Sequence, residues 1–363
     1  MVNKMLLSEL FEFLPKSKRS ASYGEDEGKY PFFTSSNQID RYTDCPDYDG
    51  EYLILGDGGS GNCKYYRGRF SASDHNYILK PNEKCNIRCV KYFLEKNNYE
   101  VLNRGFKGVG IKNVSKVYVQ NIDFKFNQSF SEQQIVENLD QIEHLIFKEK
   151  NHIDYFNVLI KSRFIEMFRP IQYMYDSDYS IGDVCEVNPK KDSLDDNIEI
   201  TFIPMEKVGT DGSLKLDSLR KYGDIKKGFS QIKENDVLFA KITPCMENGK
   251  ATIAKGLING YAGGTTELFV IRCGDKVLPE YLFHIVHSQY FRDKAKPNMR
   301  GTVGQQRVGK DFIESFHIDV PDLKRQKEFS IFVKQVDKLK FKAQERIKLY
   351  QELLNKKMEE YFD

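Results

Sequence analysis

The chain has 363 residues, of which 40% are hydrophobic and 30% are charged, and its formal net charge is +2. This length is enough for two domains of about 100–200 residues each, and the composition excludes collagen-like, strongly disordered and membrane-spanning chains. Because the net charge is small, a nucleic-acid partner would require the lysines and arginines to be concentrated on one face.

The predicted elements recur along the chain, beginning with a short segment near the N-terminus. Residues 8–16 (SELFEFLPK) have a counterpart 174 residues later at 182–190 (GDVCEVNPK), with Glu, Pro and Lys at matching positions. Residues 52–57 and 236–241 are each predicted to form a short buried strand that a polar loop follows. This second pair is 184 residues apart, so the offset between the repeats grows along the chain.

Two glycine-rich polar loops continue the repetition. The first begins at Arg104 and the second at Arg300, and a glycine follows each arginine directly. Each loop is predicted to lead to a short strand, over residues 117–119 in the first case and 316–318 in the second. Helices are also expected late in the two globular parts, over residues 87–96 and, after Pro279, over residues 280–294.

The longest repeated element is a helix. Residues 132–168 and 326–362 align at a constant offset of 194, and eight of ten positions on one stripe of each segment are apolar. A helix of this length is about 55 Å long, which is too long for a neighbouring domain to cover. We therefore expect the two helices to pack on each other as a parallel or antiparallel coiled coil. The charged interruptions of the two stripes are Glu149, Arg163, Lys340 and Lys357.

The remaining faces of these helices carry aromatic and aliphatic residues among charged ones. Apolar residues on an outward face are more often covered by a partner than bare, so these positions are candidates for docking, with simple surface exposure as the alternative. The candidate positions are Glu143, Phe147, Lys148 and Tyr155 on the first helix and Lys338, Phe341, Lys342 and Leu349 on the second.

The chain is thus predicted to alternate globular domains with long helices. Each globular part carries several short β-like runs separated by Gly, Pro, Asn and Asp clusters, which indicates a mixed α/β (α+β) fold. The repetition indicates a pseudo-two-fold arrangement of two similar domains, separated by two long helices packed as a coiled coil. The predicted boundaries are 1–130 and 169–323 for the domains and 131–168 and 324–363 for the helices.

Sequence signatures of catalysis are missing. The chain has no GxGxxG after a strand, no GxxxxGK[ST] and no GxSxG. The glycine-rich stretch 56–62 follows a predicted strand, but no helix-forming segment comes after it, so we interpret it as a flexible turn rather than a cofactor loop. Cys85 and Cys89 are four residues apart, which favours partly buried thiols over a metal site. We therefore expect no catalytic residue, no metal and no cofactor in this chain.

The N-terminus and the cysteines indicate a reducing compartment. No more than three consecutive apolar residues occur near the N-terminus before acidic residues intervene, so the apolar core of a secretory signal is lacking. The seven cysteines should then remain reduced thiols. We expect a cytoplasmic protein without a membrane partner.

Polar, basic and aromatic loops are the remaining candidates for function. Arginine and lysine pair with guanine edges, asparagine and glutamine pair with adenine, and all of them bind phosphate. Ordinary solvated loops carry the same residue types, so surface exposure alone remains the alternative for each loop. The candidate DNA-binding residues are Ser36, Asn37, Asn62, Lys64, Tyr65, Arg67, Arg104, Lys107, Lys191, Lys241, Lys250, Thr265, Arg300, Thr302, Gln305, Gln306 and Arg307.

An ordered set of short segments in the second half carries a family resemblance. Residues 238–326 contain LFAKITP, GKA, GTTEL, EYL, GTVGQQ and VPDLKRQ, in this order. Together with the arrangement of domains and helices, they resemble the DNA-specificity subunit of type I restriction-modification enzymes, over essentially the whole chain. The first half departs from the pattern, because residues 57–62 replace the segment that contains Thr-Pro and residues 108–110 lack the glutamines.

The resemblance implies a non-catalytic subunit in which each domain reads one half of a split double-stranded DNA target. It implies that the long helices act as a spacer and as docking sites for two methyltransferase subunits. Restriction subunits would join the same complex for ATP-driven cleavage. S-adenosylmethionine, ATP and Mg would then be bound by those partner subunits. A duplicated reader on a rigid spacer suits a target with a fixed gap between its halves.

Two other classes of protein compete with this interpretation. The first is a coiled-coil interaction protein with two α/β binding domains that has no part in a restriction system. It would explain the helices but not the basic loops. A methyltransferase or nuclease in its own right would need a cofactor loop or a metal cluster. A gene neighbourhood that encodes a methyltransferase and a helicase-nuclease would discriminate among the three.

Overall fold

The computed structural model of the chain describes residues 5–97, 101–110, 112–302 and 304–363. The chain divides into two compact units, one formed by residues 1–151 and 343–363 and the other by residues 152–342. Both units combine helices and strands, which confirms the mixed α/β class. Each unit takes in part of both long helices, whereas the predicted boundaries separated the helices from the domains.

The first unit contains ten strands and three short helices among its described residues, together with the beginning of a long helix. The strands are β1 (Met5–Leu6), β2 (Phe11–Phe13), β3 (Tyr30–Phe33), β4 (Tyr42–Thr43), β5 (Tyr48–Gly56), β6 (Cys63–Ala72), β7 (Asn76–Pro81), β8 (Phe106–Lys107), β9 (Asn113–Val114) and β10 (Asp123–Phe124). The helices are α1 (Leu7–Leu10), α2 (Ile87–Lys96), α3 (Lys116–Gln120) and the long α4 (Glu132–Met167).

The second unit contains twelve strands and five short helices among its described residues. The strands are β11 (Tyr179–Ser180), β12 (Cys185–Val187), β13 (Glu199–Ile203), β14 (Leu219–Lys221), β15 (Ser230–Lys233), β16 (Val237–Ala240), β17 (Ala251–Ile253), β18 (Tyr261–Gly264), β19 (Leu268–Cys273), β20 (Met299–Arg300), β21 (Arg307–Val308) and β22 (His317–Ile318). The helices are α5 (Ile181–Val184), α6 (Tyr222–Ile225), α7 (Pro279–Val286), α8 (Gln289–Ala295), α9 (Lys310–Ser315) and the long α10 (Leu323–Phe362).

The two units share one strand topology, which confirms the internal repeat. The strand order β2-β7-β5-β6 in the first unit corresponds to β12-β19-β16-β17 in the second. The first strand of each unit pairs antiparallel with the last short strand before a long helix, β1 with β10 and β11 with β22. The units differ beyond this shared part. Strands β3 and β4 extend the first sheet, whereas the second unit has a separate sheet in the order β14-β13-β18-β15.

Strand β5 lies at the centre of the first unit and is buried on both faces. Because successive side chains point to opposite faces of a sheet, Leu53 and Leu55 pack with α2 on one side, where Phe93 is fully buried. Ile54 packs on the other side in a smaller core that contains Phe70. This double burial fixes the direction in which the chain leaves the strand at Gly56.

The short helices follow their capping residues. Helix α2 begins after Asn86, whose side chain accepts a hydrogen bond from the Cys89 amide, and the prediction of a helix over 87–96 is confirmed. The prediction of one helix over 280–294 is wrong, because α7 and α8 are separate helices. The Ser288 side chain accepts a hydrogen bond from the Phe291 amide at 3.1 Å and starts the second of them.

The predicted strand at residues 117–119 is also wrong. Its β-branched and aromatic residues favour a strand, but the segment forms α3, whose first turn is capped by a 3.2 Å hydrogen bond from the Tyr118 amide to the Ser115 hydroxyl. The last short strand of the unit is β10, which pairs with the N-terminal strand. A local cap thus outweighs the strand propensity of three residues.

Within the first unit, α4 and α10 are antiparallel. The Asn138 amide donates a hydrogen bond to the Tyr361 hydroxyl at 2.8 Å, and the Arg346 guanidinium binds the Glu149 carboxylate at 2.8 and 2.7 Å. Ile135 is fully buried on the same face of α4. Glu149 interrupts the apolar stripe, as the sequence indicated, and its buried carboxylate is neutralised by this arginine.

Within the second unit, the remaining parts of the same two helices meet through aromatic residues. Phe164 and Phe329 have ring centroids 5.5 Å apart, and the Arg163 guanidinium lies 5.8 Å from the Phe332 ring centroid. The second charged interruption of the α4 stripe therefore packs on an aromatic face rather than breaking the contact.

Glu143 does not belong to the outward face to which the sequence assigned it. Its carboxylate accepts a hydrogen bond from the Tyr92 hydroxyl at 2.8 Å and pairs with Lys91 of α2 at 3.3 Å. The apolar side chains among the docking candidates are exposed, each with about three fifths or more of its surface accessible to solvent. They are Phe147, Tyr155, Phe341 and Leu349.

Candidate nucleic-acid interface

In the first unit, the loop that leaves β5 is attached to the hairpin formed by β8 and β9. Gly58 forms an isolated β-bridge with Asn113, and the Gly59 amide donates to the Lys112 carbonyl at 2.8 Å. The Val114 amide donates to the Asp57 carbonyl at 2.9 Å. The stretch interpreted as a flexible turn is therefore held by backbone hydrogen bonds along one side of the hairpin.

Asn62 anchors a neighbouring loop instead of facing outwards. Its buried side chain donates to the Ser35 carbonyl at 2.7 Å and accepts from the Lys64 ammonium at 2.9 Å. Burial lowers the pKa of Lys64 from its ordinary value. Ser36 and Asn37, on the loop that Asn62 holds, are exposed and line a cleft of about 530 Å³ together with Gly58 and Gly59.

The hairpin itself carries exposed cations. Arg104 lies in a single helical turn just before β8, and Lys107 lies on β8, both exposed. Gly105 follows Arg104, and a Cβ atom at this position would lie 2.3 Å from the Tyr118 ring, so no side chain fits there. The loops headed by Ser36, Gly58 and Arg104 thus converge within this unit.

Tyr65 and Arg67 lie on β6, the strand that follows the β5 loop. The Tyr65 hydroxyl donates a hydrogen bond to Glu51, and its ring lies 5.6 Å from the Arg88 guanidinium of α2. Burial and then the Glu51 hydrogen bond raise the pKa of Tyr65 to about 12. Arg67 is exposed on β6, opposite Glu51 in the register. Tyr65 is therefore held by packing contacts with its own unit.

In the second unit, the loop that leaves β16 is attached to the hairpin formed by β20 and β21 in the same manner. The Val308 amide donates to the Lys241 carbonyl at 2.9 Å, and the Thr243 amide donates to the Gln306 carbonyl at 3.0 Å. The bridge between Ile242 and Arg307 corresponds to the bridge between the β5 loop and β9 in the first unit. The two units thus build one loop-and-hairpin arrangement twice.

An ion pair strengthens this attachment in the second unit. The Arg307 Nε lies 2.9 Å from Glu267 Oε2, and its Nη2 lies 3.0 Å from Oε1. This bidentate contact raises the pKa of Arg307. The Glu267 amide in turn donates to the Thr265 hydroxyl at 3.2 Å, and the Lys241 amide donates to the Glu267 carbonyl at 3.0 Å. Glu267 therefore connects three of the candidate DNA-binding residues.

The tip of this second hairpin is more open. Arg300 is strongly exposed, and its Nη2 lies 3.1 Å from the Asp311 carboxylate, which is also exposed. Thr302 and Gln305 form a turn in which the Gln305 amide donates to the Thr302 carbonyl at 2.9 Å, and both side chains are exposed. An exposed pair of this kind contributes little to stability, so the Arg300 guanidinium stays available to a ligand.

The two remaining candidates are bound to other parts of the second unit. The Lys250 ammonium donates to the Met205 carbonyl at 3.0 Å, and the Lys191 ammonium donates to the Lys226 carbonyl at 2.8 Å. Neither of these contacts involves the loop-and-hairpin group.

Sequence reasoning missed several residues that build these sites. Glu267 was noted only as part of a motif, and Asn103, whose side chain accepts from the Gly61 amide at 2.7 Å, was not singled out. Lys112 and Asn113 hold the β5 loop through backbone atoms. Their position two and three residues after the Gly-Val-Gly step was the available signal, because glycines of this kind favour a turn after which a hairpin returns.

In the described residues, no three His, Cys, Asp or Glu side chains are grouped so as to hold a metal ion. Of the helices whose residues are described, none is both long and apolar enough for a bilayer crossing.

Comparisons with known proteins all point to one family. The sequence profile described as "Type I restriction modification DNA specificity domain" matches residues 2–154 and 177–352. The EcoAI type I restriction enzyme specificity subunit of Escherichia coli is 42% identical over 151 residues, which cover 41% of this chain and 26% of that protein. The chain thus spans about a quarter of that relative's length.

Two further proteins are similar over most of the chain. A Haemophilus influenzae protein, named as the type I restriction enzyme specificity subunit S.HindORF215P, is 23% identical over 316 residues, which cover 82% of this chain and 78% of that protein. The crystal structure of the type I restriction-modification system S subunit from M. genitalium superposes with a TM-score of 0.59 at 11% identity. That match covers 99% of this chain and 96% of the other. At such identity the likeness concerns the fold.

Proposed function

Because the specificity-domain profile matches most of its length in two blocks, the chain belongs to the type I restriction modification DNA specificity family, and we propose that it reads a bipartite DNA target, one half-site with each unit. The observation that carries this proposal is the duplicated loop-and-hairpin arrangement. Two readers of the same construction suit a target that consists of two separated halves.

The exposed side chains of the two arrangements are the proposed DNA contacts. Ser36, Asn37, Arg104 and Lys107 would serve one half-site, and an equivalent set that includes Arg300 would serve the other. Cations and amides of this kind bind phosphates and base edges. Thr302 and Gln305 complete the second set, and Arg67 and Lys191 are proposed to contact phosphate. Six other candidates are proposed to position the loops: Asn62, Lys64, Lys241, Thr265, Gln306 and Arg307. The side chains of Tyr65 and Lys250 bind other parts of their own units and are proposed to stabilise those parts.

The long helices are proposed to form the spacer between the two readers. In this proposal residues 1–130 and 169–323 are the target-recognition domains, and residues 131–168 and 324–363 pack as an antiparallel coiled coil. The exposed Phe147, Tyr155, Phe341 and Leu349 support a docking role, because large apolar side chains on an outward face favour a protein partner.

The chain is proposed to have no catalytic activity of its own. Two methyltransferase subunits dock on the helices and supply S-adenosylmethionine chemistry, and restriction subunits add ATP- and Mg-dependent cleavage. Seven cysteines without a disulfide partner suit the reducing cytoplasm that the sequence indicated.

Methylome sequencing tests this proposal. The chain is expressed with the methyltransferase subunit of its own system in a strain without DNA methylation, and methylated positions are mapped. We expect one bipartite motif that disappears when the chain is omitted. Methylation that persists without the chain, or methyl transfer by the isolated chain, would contradict the proposal.

A chimaera tests the assignment of one half-site to each unit. Residues 1–130 are replaced by the corresponding segment of a relative, and the methylome is mapped again. One half of the motif should change while the other half and the gap persist. A simultaneous change of both halves would refute the two-reader arrangement.

A further inference from the structure

The tip of the β8–β9 hairpin carries an apolar side chain that contacts no other part of the described protein. Val109 is fully exposed, whereas most large hydrophobic residues of this unit are buried. A single exposed valine is common on protein surfaces. Its position at the end of a hairpin, beside the proposed DNA contacts, requires a closer analysis.

Glycines with positive φ angles flank Val109 on both sides. Gly108 has φ +140° and Gly110 has φ +91°, conformations that residues with a side chain rarely adopt. A Cβ atom at Gly110 would meet no atom within 4 Å, so the tip stands clear of the rest of the unit. Val109 is therefore presented between two glycines with space around its side chain.

The base of the hairpin is held firmly while the tip is free. Phe106 pairs with Val114 and Lys107 pairs with Asn113 in an antiparallel ladder. The Val114 carbonyl accepts a hydrogen bond from the Tyr77 hydroxyl at 2.9 Å. These bonds, with those from the β5 loop, fix the direction in which the tip points and reduce the entropy lost when a ligand binds.

The surroundings of the tip match one ligand, the major groove of duplex DNA. A two-stranded β-ribbon fits that groove, and exposed Lys107 and Lys112 flank the tip on its two sides, where they can approach the phosphates that line the groove. The apolar feature of the base edges there is the C5-methyl group of thymine. An apolar tip between two cations therefore suits contact with this methyl group.

We propose that Val109 is a specificity-determining residue that contacts the C5-methyl group of a thymine in the half-site read by the first unit. This inference rests on the proposed function and names one of its readout contacts. In the sequence of the second repeat a valine stands 194 positions later, at residue 303, which lies outside the described residues.

The test combines a change in the protein with a change in the DNA. Once the motif is known, each thymine of the half-site is replaced in turn by deoxyuridine, which removes only the methyl group. Binding of labelled duplexes to the full-length chain in its complex with the methyltransferase subunit is measured by fluorescence anisotropy. We compare wild type, Val109→Ala and the control Val117→Ala, whose valine is also exposed in this unit.

One deoxyuridine position should lower the affinity of the wild type by about fourfold, which corresponds to one buried methyl group. Val109→Ala should lower the affinity for the unmodified target by a similar factor, and the same deoxyuridine should then cause no further loss. Val117→Ala should behave as the wild type. Coupling of this kind assigns the contact to the pair of groups.

Three outcomes would overturn the inference. They are a half-site without thymine, equal sensitivity of wild type and Val109→Ala to every deoxyuridine, and a defect of Val109→Ala in complex assembly rather than DNA binding. All three leave sequence-specific binding intact and therefore leave the proposed function standing. A wild-type complex without sequence-specific binding would refute the proposed function, and this inference with it.

Discussion

Arg307 on the second hairpin and Glu267, directly before β19, form a two-point contact, with Nε to Oε2 at 2.9 Å and Nη2 to Oε1 at 3.0 Å. The two residues are 40 positions apart in the sequence. Their contact attaches the β20–β21 hairpin to the central sheet of the second unit. A hairpin that is held in this way presents its tip to DNA in one orientation.

The first prediction concerns this pair. If it positions the hairpin, Arg307→Ala and Glu267→Ala should each lower the affinity for the second half-site by about 1 kcal/mol, and the double variant should lose little more. Anisotropy titrations of the assembled complex measure this coupling. Losses that add fully, or tighter binding by Glu267→Ala, would instead indicate that Arg307 contacts the DNA directly.

The second prediction concerns Arg300, whose partner Asp311 is also exposed. Arg300→Ala should change the free energy of unfolding by less than about 0.5 kcal/mol, because exposed ion pairs contribute little. It should lower DNA affinity by about 1–3 kcal/mol and relax one position of the motif if the arginine reads a base. Asp311→Ala serves as the control for the ion pair.

A phosphate contact by Arg300 would have a different signature. All sequences would then bind more weakly, and the slope of affinity against salt concentration would become shallower. Unchanged affinity together with an unchanged salt slope would remove Arg300 from the interface.

The third prediction concerns pH. The His284 ring lies among Phe164 and Phe329, and burial, followed by the charge of His287, lowers the pKa of His284 to about 3. The unfolded state, with an ordinary histidine pKa of about 6.5, binds a proton first as pH falls. The folded second unit should therefore lose about 2 kcal/mol of stability between pH 7 and pH 5 from this group.

Urea denaturation at several pH values measures this effect. His284→Leu should flatten the dependence, whereas substitution of the exposed His317 by Gln should leave it in place. Burial also lowers the pKa of His287, so a smaller dependence of the same sign should remain in His284→Leu. An equal slope in wild type and His284→Leu would exclude His284 as its cause.

The fourth prediction concerns the buried carboxylate of Glu149. Arg346→Ala should lower the free energy of unfolding of the first unit by about 1–3 kcal/mol, because a buried charge loses its guanidinium partner. Replacing both residues by apolar ones, Glu149→Met with Arg346→Leu, should restore most of the loss. Thermal unfolding followed by circular dichroism compares the three proteins, and a double variant less stable than Arg346→Ala would contradict the argument.

The fifth prediction concerns the spacer. Four residues added to α4 near residue 151 and to α10 near residue 342 keep the helical faces nearly in phase and lengthen each helix by about 6 Å. The gap between the methylated half-sites should grow by about two base pairs, with the bases of each half unchanged. A methylome with the original gap would mean that the helices do not set the spacing.

The long helices and the repeat could be predicted from the sequence because both depend on the spacing of residue types along the chain. A stripe of period three to four and a constant offset of 194 are visible without any knowledge of contacts. Helix α2 was equally accessible, since Asn86 supplies a cap and the following residues supply an apolar face. The direction in which the long helices pair was left open, because apolar stripes alone do not distinguish parallel from antiparallel packing.

The sites were harder to predict because their contacts join distant residues. Nothing in the local sequence indicates that Asn62 turns inwards to hold Ser35, or that Glu143 pairs with Lys91. The strand prediction at residues 117–119 was wrong for a local reason rather than a distant one. The Ser115 hydroxyl caps this segment as a helix. The exposure of Arg104 and Lys107 could be predicted because solvated character is a property of loop composition, and their contact with DNA stays a prediction.

The core of the first unit is closed by residues from the far end of the chain. Phe362 lies 6.0 Å from Phe93, and Tyr361 lies 4.9 Å from Phe130, as measured between ring centroids. On a ribosome that adds about 5–20 residues per second, residue 151 is made roughly 10–40 s before these two aromatic residues. Until then the core that contains Ile135 and Leu139 lacks its last members, Met358, Tyr361 and Phe362. This interval is the period in which a nascent chain would recruit a chaperone or associate with a neighbouring nascent copy.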